Sequence, residues 1–172
     1  MEFPLQNAKL RPWTLNDAPS LCLHANNIKI ASFLRNAFPY PYTLKDAISW
    51  LQSNEDNPNL LMAICVNNVA VGGIGIIHNT DIYRKSAEIG YWLSEDYWNK
   101  GIMTDAIKTL TDYSFSNLGL IRIYAGIFET NKASARVLIK AGFDLEAIHK
   151  QAVVKNQIIM DEHIYAKFKS KK

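Results

Sequence analysis

A glycine-bearing turn between an apolar segment and an amphipathic segment is the part of this chain best suited to bind an anion. Residues 88–104 read EIGYWLSEDYWNKGIMT, a pattern that predicts a strand, a polar turn and the start of a helix. The first N–H groups of a helix have no acceptor within it, and the helix dipole adds partial positive charge there. We therefore expect the turn, which ends in Lys100 and Gly101, to bind a phosphate or pyrophosphate group.

The turn does not match the common nucleotide-binding loops. Both the triphosphate loop (Gly-x-x-x-x-Gly-Lys-Ser/Thr) and the dinucleotide fingerprint (Gly-x-Gly-x-x-Gly) need a second glycine that is missing here. A Lys-Gly pair before a helix is also ordinary turn chemistry. The turn alone therefore leaves both a ligand site and a plain connection open.

Three polar side chains stand where acid–base chemistry could use them. Glu88 lies on the predicted strand that leads to the turn, and Asn131 and Ser134 begin a predicted helix farther along the chain. Each has a structural alternative. Glu88 could be a solvated residue or the ion-pair partner of Arg84 or Arg122, Asn131 could be an ordinary helix cap, and Ser134 could be a helix-surface hydroxyl.

Hydrophobic periodicity predicts an α/β (α+β) fold in the order strand, helices, three strands, helix, strand, helix and two strands. Thr14 and Thr43 are predicted to begin helical segments, and Gly119 and Gly142 to follow the ends of later ones. The predicted strands are residues 9–13, 60–66, 69–77, 84–93, 121–128, 143–154 and 158–168. The predicted helical segments are residues 14–25, 28–38, 43–51, 101–117 and 131–141.

Composition favours one globular domain over residues 1–172. The chain is 48% hydrophobic and carries a formal charge of +3, with lysines gathered at its C-terminus, at positions 167, 169, 171 and 172. We expect no nucleic-acid partner, because no basic stripe with interleaved aromatic residues occurs. Cys22 and Cys65 lack partners at metal-ligand spacing, so no metal site is predicted. With no leader-like or membrane-spanning segment, we expect a cytoplasmic protein that does not bind a membrane.

Several motifs, taken in order, resemble a known family. They are Glu88-x-Gly-Tyr-Trp-Leu, Trp98-x-Lys-Gly, Asn131-x-x-Ser and Lys140-x-Gly-Phe, together with residues 10–13 and 38–43. This arrangement resembles the GNAT superfamily of acyl-CoA-dependent N-acetyltransferases, and within it the RimJ/RimL-type branch of ribosomal-protein N-acetyltransferases. The resemblance extends over nearly the whole chain.

The resemblance implies a mixed, mostly antiparallel sheet of six to seven strands, flanked by about four helices. The sheet is expected to be splayed between the strand ending at Leu93 and the strand ending near Phe128. Acetyl-CoA, the implied acetyl donor, is expected to bind in the opening. A monomer and a homodimer both fit this fold.

The resemblance also assigns cofactor-binding residues. The pyrophosphate loop corresponds to Trp98, Asn99, Lys100, Gly101, Ile102 and Met103, with Thr104 following. The backbone at Trp92 and Leu93 is expected to pair with pantetheine amides, and Asn131 and Ser134 to face the cofactor near its thioester end. Three loop residues depart from the usual pattern: Trp98 stands in place of Gln or Arg, Asn99 in place of Gly, and Met103 in place of Gly or Ala.

Amine acetylation requires a neutral amine and a proton for the leaving thiolate. An α-amino group, with a pKa of about 8, is mostly protonated at neutral pH, so a base is useful. Glu88 is the candidate base, because strand alternation places its side chain on the same face as Gly90 and Trp92. Ser134 is the candidate acid by resemblance to the branch.

The acceptor pocket is expected to involve Phe38, Tyr40 and Tyr42, which lie in a proline-stiffened loop. Replacing Tyr42 by alanine is expected to raise the KM for the acceptor more than that for acetyl-CoA. By analogy with the branch, the expected acceptor is a protein N-terminal amine. A small-molecule amine (amino acid, polyamine or aminoglycoside), a non-catalytic acyl-CoA-binding module and a plain interaction protein remain alternatives.

Overall fold

The structure is a computed structural model that describes residues 1–170; the terminal Lys171 and Lys172 of the predicted lysine cluster lie outside the described residues. It contains eight strands, β1 to β8, and five α-helices, α1 to α5. The strands are Phe3–Pro4, Lys9–Pro12, Leu60–Val66, Val69–His78, Ser86–Leu93, Arg122–Phe128, Asp144–Lys155 and Ile158–Phe168. The helices are Ala18–Ala25, Ile28–Ala31, Leu44–Ser53, Ile102–Asn117 and Lys132–Lys140.

The eight strands form one open, mostly antiparallel sheet in the order β1-β2-β3-β4-β5-β6-β8-β7. The mixed fold is as predicted, with one or two strands more than expected. The additional strand is β1, whose two residues are too few to show an alternating pattern. The β5–β6 pair is parallel, and its described pairs run only from Ser86–Arg122 to Glu88–Tyr124, although both strands continue.

The helix predicted over residues 28–38 is wrong beyond Ala31. The chain continues in tighter turns, in which the N–H groups of Phe33, Leu34 and Phe38 each bond the carbonyl three residues earlier. Pro39 disfavours a helical conformation at Phe38, so apolar spacing alone does not extend the helix. Of this predicted segment only the short α2 is an α-helix. With α2 the structure has five α-helices, one more than the family resemblance implies.

Two compact units make up the described chain. The first comprises Met1–Gly75 and Tyr91–Ala106, and the second comprises Ile76–Gly90 and the residues from Ile107 onward. The first unit holds a core between α1 and α3, which consists of Ala18, Leu21, Ala25, Tyr42, Ala47 and Leu51. Both predicted helical starts show capping boxes, formed by Thr14 with Asp17 and by Thr43 with Asp46.

In the second unit, β6 pairs with β8 from Arg122–Phe168 to Phe128–Glu162, and β7 pairs with β8 with two irregularities in register. Gly142 follows α5 with a φ of +85°, as predicted for a helix end. Lys167 on β8 donates to the Ala141 carbonyl at the end of α5 and lies 3.8 Å from a carboxylate oxygen of Asp112 on α4. Among residues 1–170, no helix is long and apolar enough to span a membrane.

Candidate active site

The turn between β5 and α4 has the geometry of an anion site. Asn99 and Gly101 take φ values of +59° and +78°, and α4 begins at Ile102. The Asp105 N–H donates to the Gly101 carbonyl at 3.1 Å. The N–H groups of residues 102–104 precede this bond, so the helix itself provides no acceptors for them.

Trp98 ties this turn to the end of β5. Its indole N–H donates to the Leu93 carbonyl at 2.7 Å, while the Ser94 N–H donates to the Val71 carbonyl at 2.8 Å. Leu93 is buried and Trp98 is 38% exposed. The tryptophan that departs from the family pattern therefore fixes the turn, and one hydrogen bond of the Leu93 carbonyl is already made within the chain.

The other two departures from the family pattern, Asn99 and Met103, differ in exposure. Asn99, Lys100 and Gly101 are exposed, whereas the Met103 side chain is buried and faces the core. A Cβ built on Gly101 meets no atom within 4 Å, so glycine is required there by its positive φ rather than by lack of space. Lys100 places its ammonium 5.2 Å from the centre of the Tyr97 ring. A backbone donor set with an adjacent cation suits an anionic ligand.

A histidine contact that the sequence did not reveal lies next to this turn. His24 Nδ1 is 3.0 Å from the Ser94 hydroxyl, and its ring meets the edge of Tyr97 at 6.1 Å between centres. Burial lowers the pKa of His24, and the nearby charge of Asp96 opposes that shift. Because the two bonded residues are 70 positions apart, no local pattern could have paired them.

Glu95 provides a second anchor for the turn. Its carboxylate accepts from the Asn27 side-chain amide at 2.8 Å and forms an ion pair with Lys29. The hydrogen bonds from Lys29 and Asn27 lower the pKa of Glu95. The segment from α1 to α2 therefore holds the first residues after β5.

The three aromatic residues predicted to line the acceptor pocket have different environments. Phe38 packs between Tyr42, at 5.0 Å, and Trp92, at 5.9 Å between ring centres. Tyr42 is only 4% exposed, and burial raises its pKa to about 12. Tyr40 is 51% exposed. Of the three, Tyr40 offers the most surface to a ligand.

Glu88 lies opposite Tyr124, at the last described pair of the parallel strands. Arg122, one of its expected ion-pair partners, forms two hydrogen bonds with Glu146 and one with Ser86. The Arg122 guanidinium also stacks 4.5 Å above the Tyr124 ring. The guanidinium is therefore committed to Glu146, Ser86 and Tyr124.

Asn131 and Ser134 are brought together at the start of α5. The Asn131 side-chain oxygen accepts a hydrogen bond from the Ser134 N–H at 3.0 Å, which is the ordinary geometry of a helix cap. Ser134 is 8% exposed, so its hydroxyl is not a solvated surface group. The capping role of Asn131 is confirmed, and the proposed cofactor contact of either residue stays a prediction.

The sequence matches the family described as acetyltransferase (GNAT) domain over residues 8–144. It is 31% identical to the uncharacterized N-acetyltransferase YoaA of Bacillus subtilis, over 81% of this chain and 73% of that protein. The ribosomal-protein-serine acetyltransferase of Escherichia coli is 33% identical, over 55% of this chain and 54% of the relative. The spermidine N(1)-acetyltransferase of E. coli is 27% identical, over 81% of this chain and 74% of the relative.

Solved structures share the whole architecture. RimL, a ribosomal L7/L12 α-N-protein acetyltransferase in complex with coenzyme A, superposes with a TM-score of 0.86 at 22% identity, with 98% of both chains covered. The microcin C7 self-immunity acetyltransferase MccE, in complex with acetyl-CoA and AMP, superposes with a TM-score of 0.82 at 26% identity. That match covers 95% of this chain and 93% of MccE. The chain therefore belongs to the GNAT family of acetyltransferases.

Proposed function

We propose that this protein transfers an acetyl group from acetyl-CoA to a protein N-terminal α-amino group. The observation that carries the proposal is the left-handed turn at Asn99 and Gly101, which places the first N–H groups of α4, free of helical acceptors, next to the exposed Lys100. Binding of CoA by RimL and of acetyl-CoA by MccE supports the same ligand here.

The residues at this turn fit the pyrophosphate of acetyl-CoA. The N–H groups of residues 102–104 are donors without helical acceptors, and the Lys100 ammonium adds positive charge. The first turn of α4 also carries an acidic residue, Asp105. Its carboxylate is bonded within the protein, because it accepts a hydrogen bond from the Gln6 N–H at 2.8 Å. When bound, acetyl-CoA supplies a thioester carbonyl that an amine can attack.

Glu88 is the proposed base. Its carboxylate would accept the proton from the acceptor nitrogen, directly or through a water molecule. An α-amino group with a pKa of about 8 needs only modest help near neutral pH, and a positioned carboxylate provides it. The position of Glu88 at the last β5–β6 pair supports this role, because the opening expected between the two strands begins there.

Ser134 is the proposed acid. Its hydroxyl would donate a proton to the leaving sulfur, and its low exposure supports contact with a ligand rather than with solvent. The Asn131 cap fixes the first turn of α5 and with it the Ser134 backbone.

The protein N-terminal acceptor is supported by the names of two relatives, the E. coli ribosomal-protein-serine acetyltransferase and RimL. The exposed ring of Tyr40 is proposed to contact the residues that follow the acceptor amine. A small-molecule acceptor is the second candidate, favoured by the similarity to a spermidine acetyltransferase over most of this chain.

The test is an acetylation assay of the purified protein with acetyl-CoA and two sets of acceptors. One set contains peptides with free α-amines and their N-terminally blocked counterparts, and the other contains spermidine and amino acids. The proposal expects acetylation of free peptide N-termini, located by mass spectrometry. Turnover of spermidine or amino acids alone would replace the protein acceptor with a small amine, and no turnover with any acceptor would favour a non-catalytic acyl-CoA-binding module.

A further inference from the structure

The Glu162 carboxylate occupies the space above Gly126 on β6. A Cβ built at this position would lie 2.5 Å from Oε1 of Glu162 and 3.0 Å from its carboxyl carbon. Contacts this short do not occur between real atoms, so any larger residue would displace the Glu162 side chain. The carboxylate thus lies directly on the β6 backbone, in van der Waals contact with it.

Strand register places Glu162 on the same face of the sheet as Glu88. Glu162 pairs with Phe128, and Tyr124, Gly126 and Phe128 alternate onto one face of β6. Tyr124 is also the parallel partner of Glu88. The two glutamates therefore share the face on which the described β5–β6 pairing ends. Glu162 pairs two alternate positions beyond Tyr124, and its carboxylate lies over the intervening Gly126.

The face that carries Glu162 is opposite the face of β8 that contacts α4 and α5. The contacts described for Lys167, which alternates to the opposite face of β8, reach the Ala141 carbonyl of α5 and Asp112 of α4. Tyr124, whose side chain shares the face of Glu162, lines a cavity of about 460 Å³ whose other lining residues are His78 at the end of β4 and residues 79, 80 and 83 before β5. A cavity of this size accommodates a small amine or the first residues of a peptide.

Glu162 is held in place by its neighbours. His149 Nδ1 lies 3.3 Å from Oε2 of Glu162, at the start of an irregularity in β7. The adjoining bulge is fixed by Asp161, whose carboxylate accepts from the Lys150 ammonium at 2.7 Å and the Gln151 N–H at 2.9 Å. Bulges of this kind redirect side chains next to functional sites. The Glu162 side chain keeps 27% exposure, so a ligand can reach it.

We propose that Glu162 binds a positively charged group of the acceptor other than the reacting amine. This inference rests on the proposed acetyltransfer and adds a substrate class, namely amines that carry a second cation. A partly exposed carboxylate on the same sheet face as Glu88 selects for that charge, because an ammonium or guanidinium group gains a charge-assisted hydrogen bond there.

The test compares acceptors that differ by one positive charge. The pairs are 1,4-diaminobutane against butylamine, and two tetrapeptide amides with lysine or glutamine in second position. In the wild type, kcat/KM per reacting amino group is expected to favour the dicationic member by up to about fivefold, the value of one partly exposed ionic contact. Glu162→Gln should bring the ratio near one through a higher KM, while the KM for acetyl-CoA stays unchanged.

Two further variants control for indirect effects. Asp112→Asn removes another carboxylate of the second unit, one that contacts Lys167 on the opposite face of the sheet, and should keep the wild-type ratio. Gly126→Ala should lower the ratio by displacing the carboxylate, and should have no further effect in a Glu162→Ala background, since the displaced group is then absent. Thermal melting of each variant confirms that it is folded.

A wild-type ratio near one, or an unchanged ratio in Glu162→Gln, would overturn this inference while leaving acetyltransfer in place. No turnover by the wild type with any of the four amines would instead overturn the proposed function on which the inference rests. A reduced ratio in Asp112→Asn equal to that in Glu162→Gln would assign the preference to the net charge of the protein and also overturn the inference.

Discussion

The turn before α4 and the sheet face around Glu88 are built in different ways. At the turn, the candidate ligand groups are backbone N–H donors, set by two positive φ values and the start of a helix. On the sheet face, the candidate groups are the carboxylates of Glu88 and Glu162, which strands distant in sequence bring to one surface. The ligand groups of the first arrangement belong to the backbone, so a side-chain change such as Met103 leaves them in place, whereas those of the second are individual side chains.

The largest expected effect lies on the sheet face. Glu88→Gln removes the proposed base and should lower kcat by about 10²- to 10⁴-fold, the usual contribution of general base catalysis. Acetyl-CoA binding, measured by titration calorimetry, should be unchanged, which would separate the two regions. If acetyl-CoA binding were weakened as strongly as kcat, Glu88 would instead support the fold of the cofactor groove.

Two tyrosines of the loop over residues 38–42 are expected to have different roles, because Tyr42 is buried and Tyr40 is exposed. Tyr42→Ala should lower the free energy of unfolding by about 3 kcal/mol, because it empties a core position; urea denaturation measures this. The KM effect first expected for Tyr42 is therefore better sought in Tyr40→Ala, which should raise the acceptor KM more than the acetyl-CoA KM with little loss of stability. The opposite pattern of KM changes would remove Tyr40 from the acceptor side.

Two neighbouring substitutions test whether backbone conformation, rather than side-chain charge, determines the binding of acetyl-CoA at the turn before α4. Gly101→Ala imposes a left-handed conformation on a residue with a Cβ, at a cost of about 1–2 kcal/mol, and should weaken acetyl-CoA binding severalfold. Lys100→Ala removes an exposed charge and should weaken binding less, since solvent screens it. A larger effect for Lys100→Ala in calorimetry would mean that side-chain charge, and not backbone conformation, dominates.

The smallest expected effect concerns pH. Burial lowers the pKa of His24, so the folded state binds fewer protons there than the unfolded state. This contribution to stability is present at neutral pH and is lost as pH falls through the unfolded value of about 6.5. His24→Asn, which can keep a hydrogen bond to Ser94, should reduce the loss of melting temperature between pH 7.5 and pH 5.5. An unchanged pH profile would remove His24 as the titrating group.

Local patterns anticipated much of the fold and little of the side-chain geometry. The caps at Thr14, Thr43 and Asn131 and the helix end at Gly142 follow from residue types at fixed offsets, and the structure confirms them. The prediction of a helix over residues 28–38 was wrong beyond Ala31, because the spacing of apolar residues also fits a series of turns before Pro39.

The contacts that define the site depend on long-range register. The His24–Ser94 bond joins residues 70 positions apart, and Glu162 meets Gly126 only because β6 and β8 pair in one particular alignment. The Trp98 bond to Leu93 is local, but a tryptophan in a turn has no distinctive spacing. Family resemblance could identify the loop, yet it could not reveal which of its residues hold the turn together.

The most direct test of the account is a thermal-melting titration of the wild type and Gly101→Ala with acetyl-CoA, CoA and ATP. A ligand that binds only the native state raises the melting temperature by mass action. We predict that acetyl-CoA and CoA stabilise the wild type, that ATP does not, and that Gly101→Ala needs a higher acetyl-CoA concentration for the same shift. No shift of the wild type at millimolar acetyl-CoA would contradict the assignment of the turn before α4 as the donor site.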